Sequence, residues 1–338
     1  MGIHLSEPAV QVAATLFLTD HDVAQLTDWK AAFDALRTAY ASPIAPAAVP
    51  PRSMARGDGM WLRSLTAVSP SGGHMGCKLI AAGMKARRAS YLISLFDQRT
   101  MALAALIDGN RITGIRTAAT VAVAVDAAAP RRPLKVGVIG SGFEARGLLA
   151  ALAAVRTVAS ASVFSPTPAS RERFAASFRD DHGPTVESAD SPLEAIAGAD
   201  VVLCAARSRD ERPVILGEWL EPGMTVASIG STLPEQREVD EQVIARAALV
   251  VADMPEEVVH DTGDMIAARR AGVDFAAKLV SLSDYVSGKA SRRPEDIVVY
   301  KSVGSGLQDI VTAEMLLARA RTRGLGTPMA HSIVPVAK

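Results

Sequence analysis

Two kinds of residue in this chain could do chemistry: glycines spaced to hold a phosphate, and cations placed where apolar residues would be expected. The segment Gly140-Ser141-Gly142-Phe143-Glu144-Ala145 follows an apolar run and has the G-x-G-x-x-A form. In that form the first glycine allows a tight turn and the second lets backbone approach a pyrophosphate. The small Ala145 lets helix pack on strand. The pyrophosphate would lie at a helix N-terminus, where free N–H groups and the dipole favour an anion. A Gly-rich turn can also be purely structural, but this one sits between an apolar strand and a helix in an alternating pattern. About twenty residues further on, an NAD site usually places a carboxylate for the ribose hydroxyls. Here the chain reads Ser165-Pro166-Thr167, and Arg171 is the next charge, followed by Glu172 and Arg173. Hydroxyls with an arginine suit the 2′-phosphate of NADP, with NAD possible. The alternative is that both arginines are solvated helix residues.

The cations are Arg52, Lys78 and Arg116. Lys78 interrupts an apolar strand, an expensive place for an unpaired charge. Arg116 lies near the start of an Ala- and Val-rich helix, where backbone N–H groups and a cation can jointly hold an anion. It reads equally as a capping or ion-pair residue. Arg52 follows a connector with four prolines (Pro43, Pro46, Pro50 and Pro51) and is also compatible with a plain surface position. Arg56, Arg63 and His74 share the region; they could read the rest of a bound small molecule, but the plainer reading is solvated charges at strand ends. His260 and Asp264 sit in a polar stretch with Glu256, Glu257 and Asp261. That stretch meets no metal-ligand spacing and reads as a solvated helix.

The elements that must position these residues fall into two patterns. Residues 20–26, with Thr19 as N-cap, and a helix from Thr27 to about Tyr40 come first; Trp29, Phe33, Leu36 and Tyr40 form one apolar stripe. Residues 42–52 are then an extended connector. Strands follow at 60–67, 76–81, 89–96 and 101–107, then a turn at Asp108-Gly109-Asn110 and a buried helix over 113–126. After 127–133 the pattern alternates. Strands at 134–139, 160–164, 201–204, 225–229 and 249–252 are separated by helices at 170–178, 192–197 and 238–246. This predicts an α/β fold with a parallel sheet covered on both faces. A strand at 296–300 and a helix over 307–323, capped by Gly324, close the chain.

The whole composition limits the partners. The 338 residues hold 36 Lys+Arg against 36 Asp+Glu, which argues against a nucleic-acid binder. Aromatics amount to 4%, too few for a stacking surface for single strands. Two cysteines, Cys77 and Cys204, suit a reducing compartment. No apolar run is long enough to span a bilayer, and Met1–Pro8 lacks a signal-peptide pattern. The expected location is cytoplasmic.

With these residues in view, the chain resembles the ornithine cyclodeaminase/mu-crystallin family over nearly its whole length. The matching stretches are Pro51-Arg52; Gly76-Cys77-Lys78; 108–119, which includes Arg116; Gly140 through Arg146; Pro234 with Arg237-Glu238; and Lys301-Ser302-Val303-Gly304 with Leu307-Gln308-Asp309. The resemblance implies a Rossmann dinucleotide-binding domain, residues 119–305, inserted in an α+β domain of residues 1–118 plus 306–338. That second domain would bind substrate and mediate homodimerisation. The implied chemistry is hydride exchange between a nicotinamide and the α-carbon of an amino acid or its imine. Arg52, Lys78 and Arg116 would grip the carboxylate, and Lys78 could polarise the imine or supply a proton. Val303 and Gly304 would pass beside the nicotinamide. One departure stands out. Cyclodeaminases carry Asp two residues before the Pro of the Gly…Pro…Glu stretch, where this chain has Thr232. A hydroxyl cannot replace that base, so reduction of an imine, or reductive amination, is expected over ornithine cyclisation. The alternatives are a cyclodeaminase-like lyase with recycled NAD and a crystallin-like NADPH-binding protein. Ser231 and Thr232 border the nicotinamide or substrate, or simply end their strand.

Overall fold

A computed structural model describes residues 14–83, 85–181, 183–206, 210 and 212–336. The Met1–Pro8 reading lies outside the described residues. The chain forms two sheets. The first has the order β15-β1-β6-β5-β4-β3-β2. Its strands are β1 (Leu16–Leu18), β2 (Ser53–Gly57), β3 (Met60–Val68), β4 (His74–Gly83), β5 (Arg88–Asp97), β6 (Leu103–Asp108) and β15 (Thr327–Pro328). From β2 to β6 it is an antiparallel meander, and β1 pairs in parallel with β6. Period-two alternation decides which side chains enter the core. Leu65, Lys78 and Ile93 stand in one row, and all three are buried.

The second sheet is wholly parallel, in the order β13-β12-β14-β11-β10-β7-β8-β9. It comprises β7 (Leu134–Ile139), β8 (Val158–Phe164), β9 (Val186–Ser188), β10 (Val201–Cys204), β11 (Thr225–Ser228), β12 (Leu249–Ala252), β13 (Leu279–Ser281) and β14 (Val298–Lys301). Its central strands are buried on both faces, as parallel strands are, and are mainly apolar, with Thr225, Ser228 and Lys301 as their polar residues.

Helices α1 (Asp20–Leu26), α3 (Asn110–Ala128) and α11 (Gly306–Arg323) pack on the first sheet, and α2 (Trp29–Ala41) packs on α3 and α11. Helices α4 (Phe143–Ala153), α5 (Pro168–Asp180), α6 (Pro192–Ile196), α7 (Glu241–Arg246), α8 (Pro255–Asp261), α9 (Gly263–Arg270) and α10 (Leu282–Val286) belong to the parallel region. The helix α3 touches β5 of the first sheet and β11 and β14 of the second, so one core runs through both. Almost every face of α3 is buried, which matches its mostly Ala and Val run from Ala118 to Val125. Among the described residues no helix is long and apolar enough to cross a membrane.

Boundaries differ from the sequence expectations where side chains rather than propensity decide. Asp28, not Thr27, caps α2. The connector after α2 includes one 3-10 turn, Pro46–Ala48. The expected turn at Asp108–Asn110 is the start of α3, which begins at Asn110 rather than 113. The helix expected over 238–246 begins at Glu241, because Glu238 is a fully buried carboxylate that collects loop N–H groups.

Candidate active site

The glycine turn is built as its spacing requires. Gly140 has φ +106°, and a Cβ there would lie 2.8 Å from the carbonyl oxygen of Ala205. Its N–H donates to the Phe164 carbonyl at 2.8 Å, tying the end of β7 to the end of β8. Gly142 is the N-cap of α4, no side chain caps that helix, and nothing lies within 4 Å of an added Cβ. No side chain therefore covers the start of α4, and Ala145 is fully buried against the sheet. These residues fit a dinucleotide pyrophosphate. The hydroxyls of Ser141 and Ser165 lie 2.8 Å apart across the two strand ends.

The arginines beyond β8 are not solvated as a pair. Arg171 is buried: it donates to Asp190 at 2.9 Å and to the Ser165 carbonyl at 3.2 Å, and lies over the Phe164 ring. Its charge is already matched. Arg173 and Arg146 instead line a 230 Å³ hollow with Ser141, Gly142, Phe143 and Ser170. Arg173 donates to Ser170 at 3.0 Å and Arg146 to Asp181 at 2.5 Å. Thr167 caps α5 by position only, with no side-chain bond.

Lys78 and Arg116 meet across the first sheet. The Nζ of Lys78 donates to Oδ1 of Asp309 at 2.7 Å, and Nε of Arg116 lies 3.3 Å from the same oxygen. Lys78 is 1% exposed and Asp309 not at all. Burial is the main force on the lysine, helped by the Arg116 and Arg63 charges and opposed by Asp309; together they push its pKa down to about 8. The second oxygen of Asp309 and Nε of Arg116 are buried without a hydrogen bond.

A chain of polar contacts carries this pair to the parallel sheet. Gln308 accepts from Arg116 at 2.9 Å and donates to Asp253 and to the Tyr40 hydroxyl, each at 2.9 Å. Asp253, just past β12, also accepts from Ser302 Oγ and from the N–H groups of Val303 and Gly304. Gly304 has φ +82°, and a Cβ there would sit 2.5 Å from Arg116 Nη1. Only glycine lets the guanidinium rest on this turn. The structure thus brings Lys78, Arg116, Val303 and Gly304 together.

Arg52 is placed differently. Its Nε lies 2.9 Å from Glu257 and its Nη2 donates to Asp261 at 2.9 Å, which ties the edge of the first sheet to α8. His74 pairs with Glu314 at 3.0 Å, away from these groups.

Beneath the strand ends lies a charged foundation that the sequence reading missed. Lys301, fully buried, lies 2.6 Å from Asp264 and donates to Ser228 at 2.8 Å. Glu238 accepts from Ser228, Gly230 N and Ala206 N, so one carboxylate holds the loops after β10 and β11. The expected solvated helix at 256–264 is therefore corrected: Glu257 and Asp264 are buried, each serving another element, while His260 is exposed. Ser231 is buried and donates to the Gln236 carbonyl; Thr232 N–H donates to the Gln236 side chain at 3.1 Å. Lys301 carries the signal that marked Lys78, a lysine closing an apolar strand.

A parallel sheet with this glycine turn, set against a second sheet holding a buried lysine, defines a Rossmann-type two-sheet protein. A profile of the ornithine cyclodeaminase/mu-crystallin family matches residues 14–324, and the chain belongs to that family. It is 30% identical to the ketimine reductase mu-crystallin of Rattus norvegicus over 66% of this chain and 67% of that protein. Among solved structures, the Δ1-pyrroline-2-carboxylate reductase of Thermococcus litoralis, in complex with NADH and L-proline, superposes with TM-score 0.84 at 25% identity. That match covers 93% of this chain and all of the other. A probable ornithine cyclodeaminase from Bordetella pertussis Tohama I gives TM-score 0.81 at 31% identity, with 93% and 100% covered.

Proposed function

We propose that this protein reduces the C=N bond of a small α-imino acid with NAD(P)H. The observation that carries this reading is Lys78: a buried ammonium, poised near neutrality, sharing Asp309 with an arginine that rests on Gly304. When bound, the reduced nicotinamide supplies the hydride to the imine carbon. Arg116 binds and orients the substrate carboxylate, so that the adjacent C=N has one pose. Lys78 holds the proton at Nζ and passes it to the imine nitrogen, while Asp309 fixes the ammonium. Burial of the pair excludes water from the transfer. Arg52 joins the grip only by giving up Glu257 or Asp261. In this reading residues 119–305 are the dinucleotide unit, and residues 1–118 with 306–338 form the substrate and homodimerisation unit. The protein works in the cytoplasm on small molecules rather than nucleic acid or membranes. Thr232 brings no carboxylate to the site, so imine reduction is favoured over ornithine cyclisation.

The hollow beside Ser141 favours NADP over NAD through Arg173 and Arg146. Arg171 has its acceptors already and serves to hold the end of β8. The test is titration with NADPH and NADH, followed by NADPH oxidation with Δ1-pyrroline-2-carboxylate or pyruvate plus methylamine. Oxidation with the amino acid as product is expected, and Arg173→Ala should weaken NADPH binding at least tenfold more than NADH binding. NADPH binding with no oxidation by any imine would overturn the reading in favour of sequestration. Proline formed from ornithine without net NADPH loss would favour the lyase.

A further inference from the structure

One half-buried cation near Lys78 makes no ion pair among the described residues. The register pairs Met54 with Arg63 and Arg63 with Ile80, in the row beside Leu65, Lys78 and Ile93. Since alternate residues share a face, Arg52, Arg56, Trp61 and Arg63 stand on the Lys78 side of the sheet. Lys78 and Arg116 share Asp309, and Arg52 has Glu257 and Asp261. Arg63 makes no ion pair or hydrogen bond among the described residues, and its Nε is buried without a partner. Its guanidinium lies 5.0 Å from the Trp61 ring centroid, a contact that orients the fork without neutralising it. Burial and the neighbouring Arg52 and Arg56 charges disfavour its protonated form, and the more distant pull of Glu257 and Asp261 does not offset them, so an anion at this point would be welcome. Around Lys78, five cations (Arg52, Arg56, Arg63, Lys78 and Arg116) meet four carboxylates (Asp253, Asp309, Glu257 and Asp261).

We propose that the substrate is an α-imino dicarboxylic acid whose second carboxylate is read by Arg63. This rests on the imine-reductase reading above. Diagonal neighbours on adjacent antiparallel strands stand about 7–8 Å apart, and long side chains converge from there. A distal carboxylate on a short methylene chain therefore reaches Arg63 while the α-carboxylate stays at Arg116. An arginine fork holds it bidentately, with more discrimination than a lone ammonium.

The experiment compares imines formed in place from ammonia and 2-oxo acids. Oxaloacetate and 2-oxoglutarate are set against pyruvate and 2-oxobutyrate, with NADPH as reductant. The dicarboxylates are expected to have at least tenfold higher kcat/KM. Arg63→Leu should erase that preference mainly through KM, and Arg63→Lys should restore part of it. Independently of turnover, succinate should raise the Tm of the NADP-loaded wild type more than butyrate does, and should not do so in Arg63→Leu. Equal kcat/KM for both classes, or a preference that survives Arg63→Leu, would overturn the proposal while leaving the reductase reading intact. If no imine of either class is reduced, the reductase reading fails. The succinate shift then decides alone: an Arg63-dependent shift upholds the second anion site and its absence refutes it.

Discussion

In the proposed reaction Lys78 is expected to set the pH dependence. Its pKa is about 8, lowered chiefly by burial, and only the protonated form can give a proton to an imine. Reductive kcat is therefore expected to fall as pH rises through about 8, and oxidation of the amino acid to rise through the same pH. Lys78→Ala should lower reductive kcat by about 10²–10⁴-fold. Lys78→Arg, which stays charged, should remove the inflection as well as most of the rate; an unchanged pH profile would exclude Lys78 as the acid. This lysine was legible because an ammonium in an apolar strand needs a reason. Its partner was not. Asp309 and Gln308 stand in the first turn of α11, where polar residues ordinarily satisfy free N–H groups, and nothing in the spacing says that they turn inward to Lys78 and Arg116. Arg171 misled in the opposite way, since its exposed partner Asp190 lies 19 residues away.

Among the elements, the loops after β10 and β11 owe their positions to Glu238, which Asp264 and Lys301 support from below, and the loop after β14 to Asp253. Removing one member leaves a buried charge uncompensated. Asp264→Ala is expected to cost about 3–5 kcal/mol, measured by urea denaturation, because Lys301 would keep only Ser228. A loss under 1 kcal/mol would mean that the cluster is not structural. The strands themselves were readable from apolar runs, and the glycine turn from its spacing. The foundation was hidden because its three members lie in separate segments, and Glu238 looks like the first residue of a helix. Its real work is to accept N–H groups from Ala206 and Gly230.

For the whole molecule, the first sheet has an inner face against α11 and an outer face on which several large apolar side chains stay exposed in the monomer. Met60, Leu62, Val68 and Leu92 project outward at 61%, 46%, 41% and 37% exposure, with Phe17 at 40%. We expect a second copy to cover this face. Leu62→Glu with Leu92→Glu should shift a dimer to monomer in light scattering coupled to size exclusion; a wild type already monomeric would refute it. The two-sheet plan was legible, because the period changes from two to an alternation of strands and helices near residue 134. The way the halves join was not, since Asp253 and Gln308 meet across 55 residues. That join also has a temporal side. Chains are made N-terminus first, and Lys78 waits for a carboxylate 231 residues downstream. The ribosome thus delivers the buried lysine well before its counter-ion, so this part of the core acquires its electrical balance only once α11 has been synthesised.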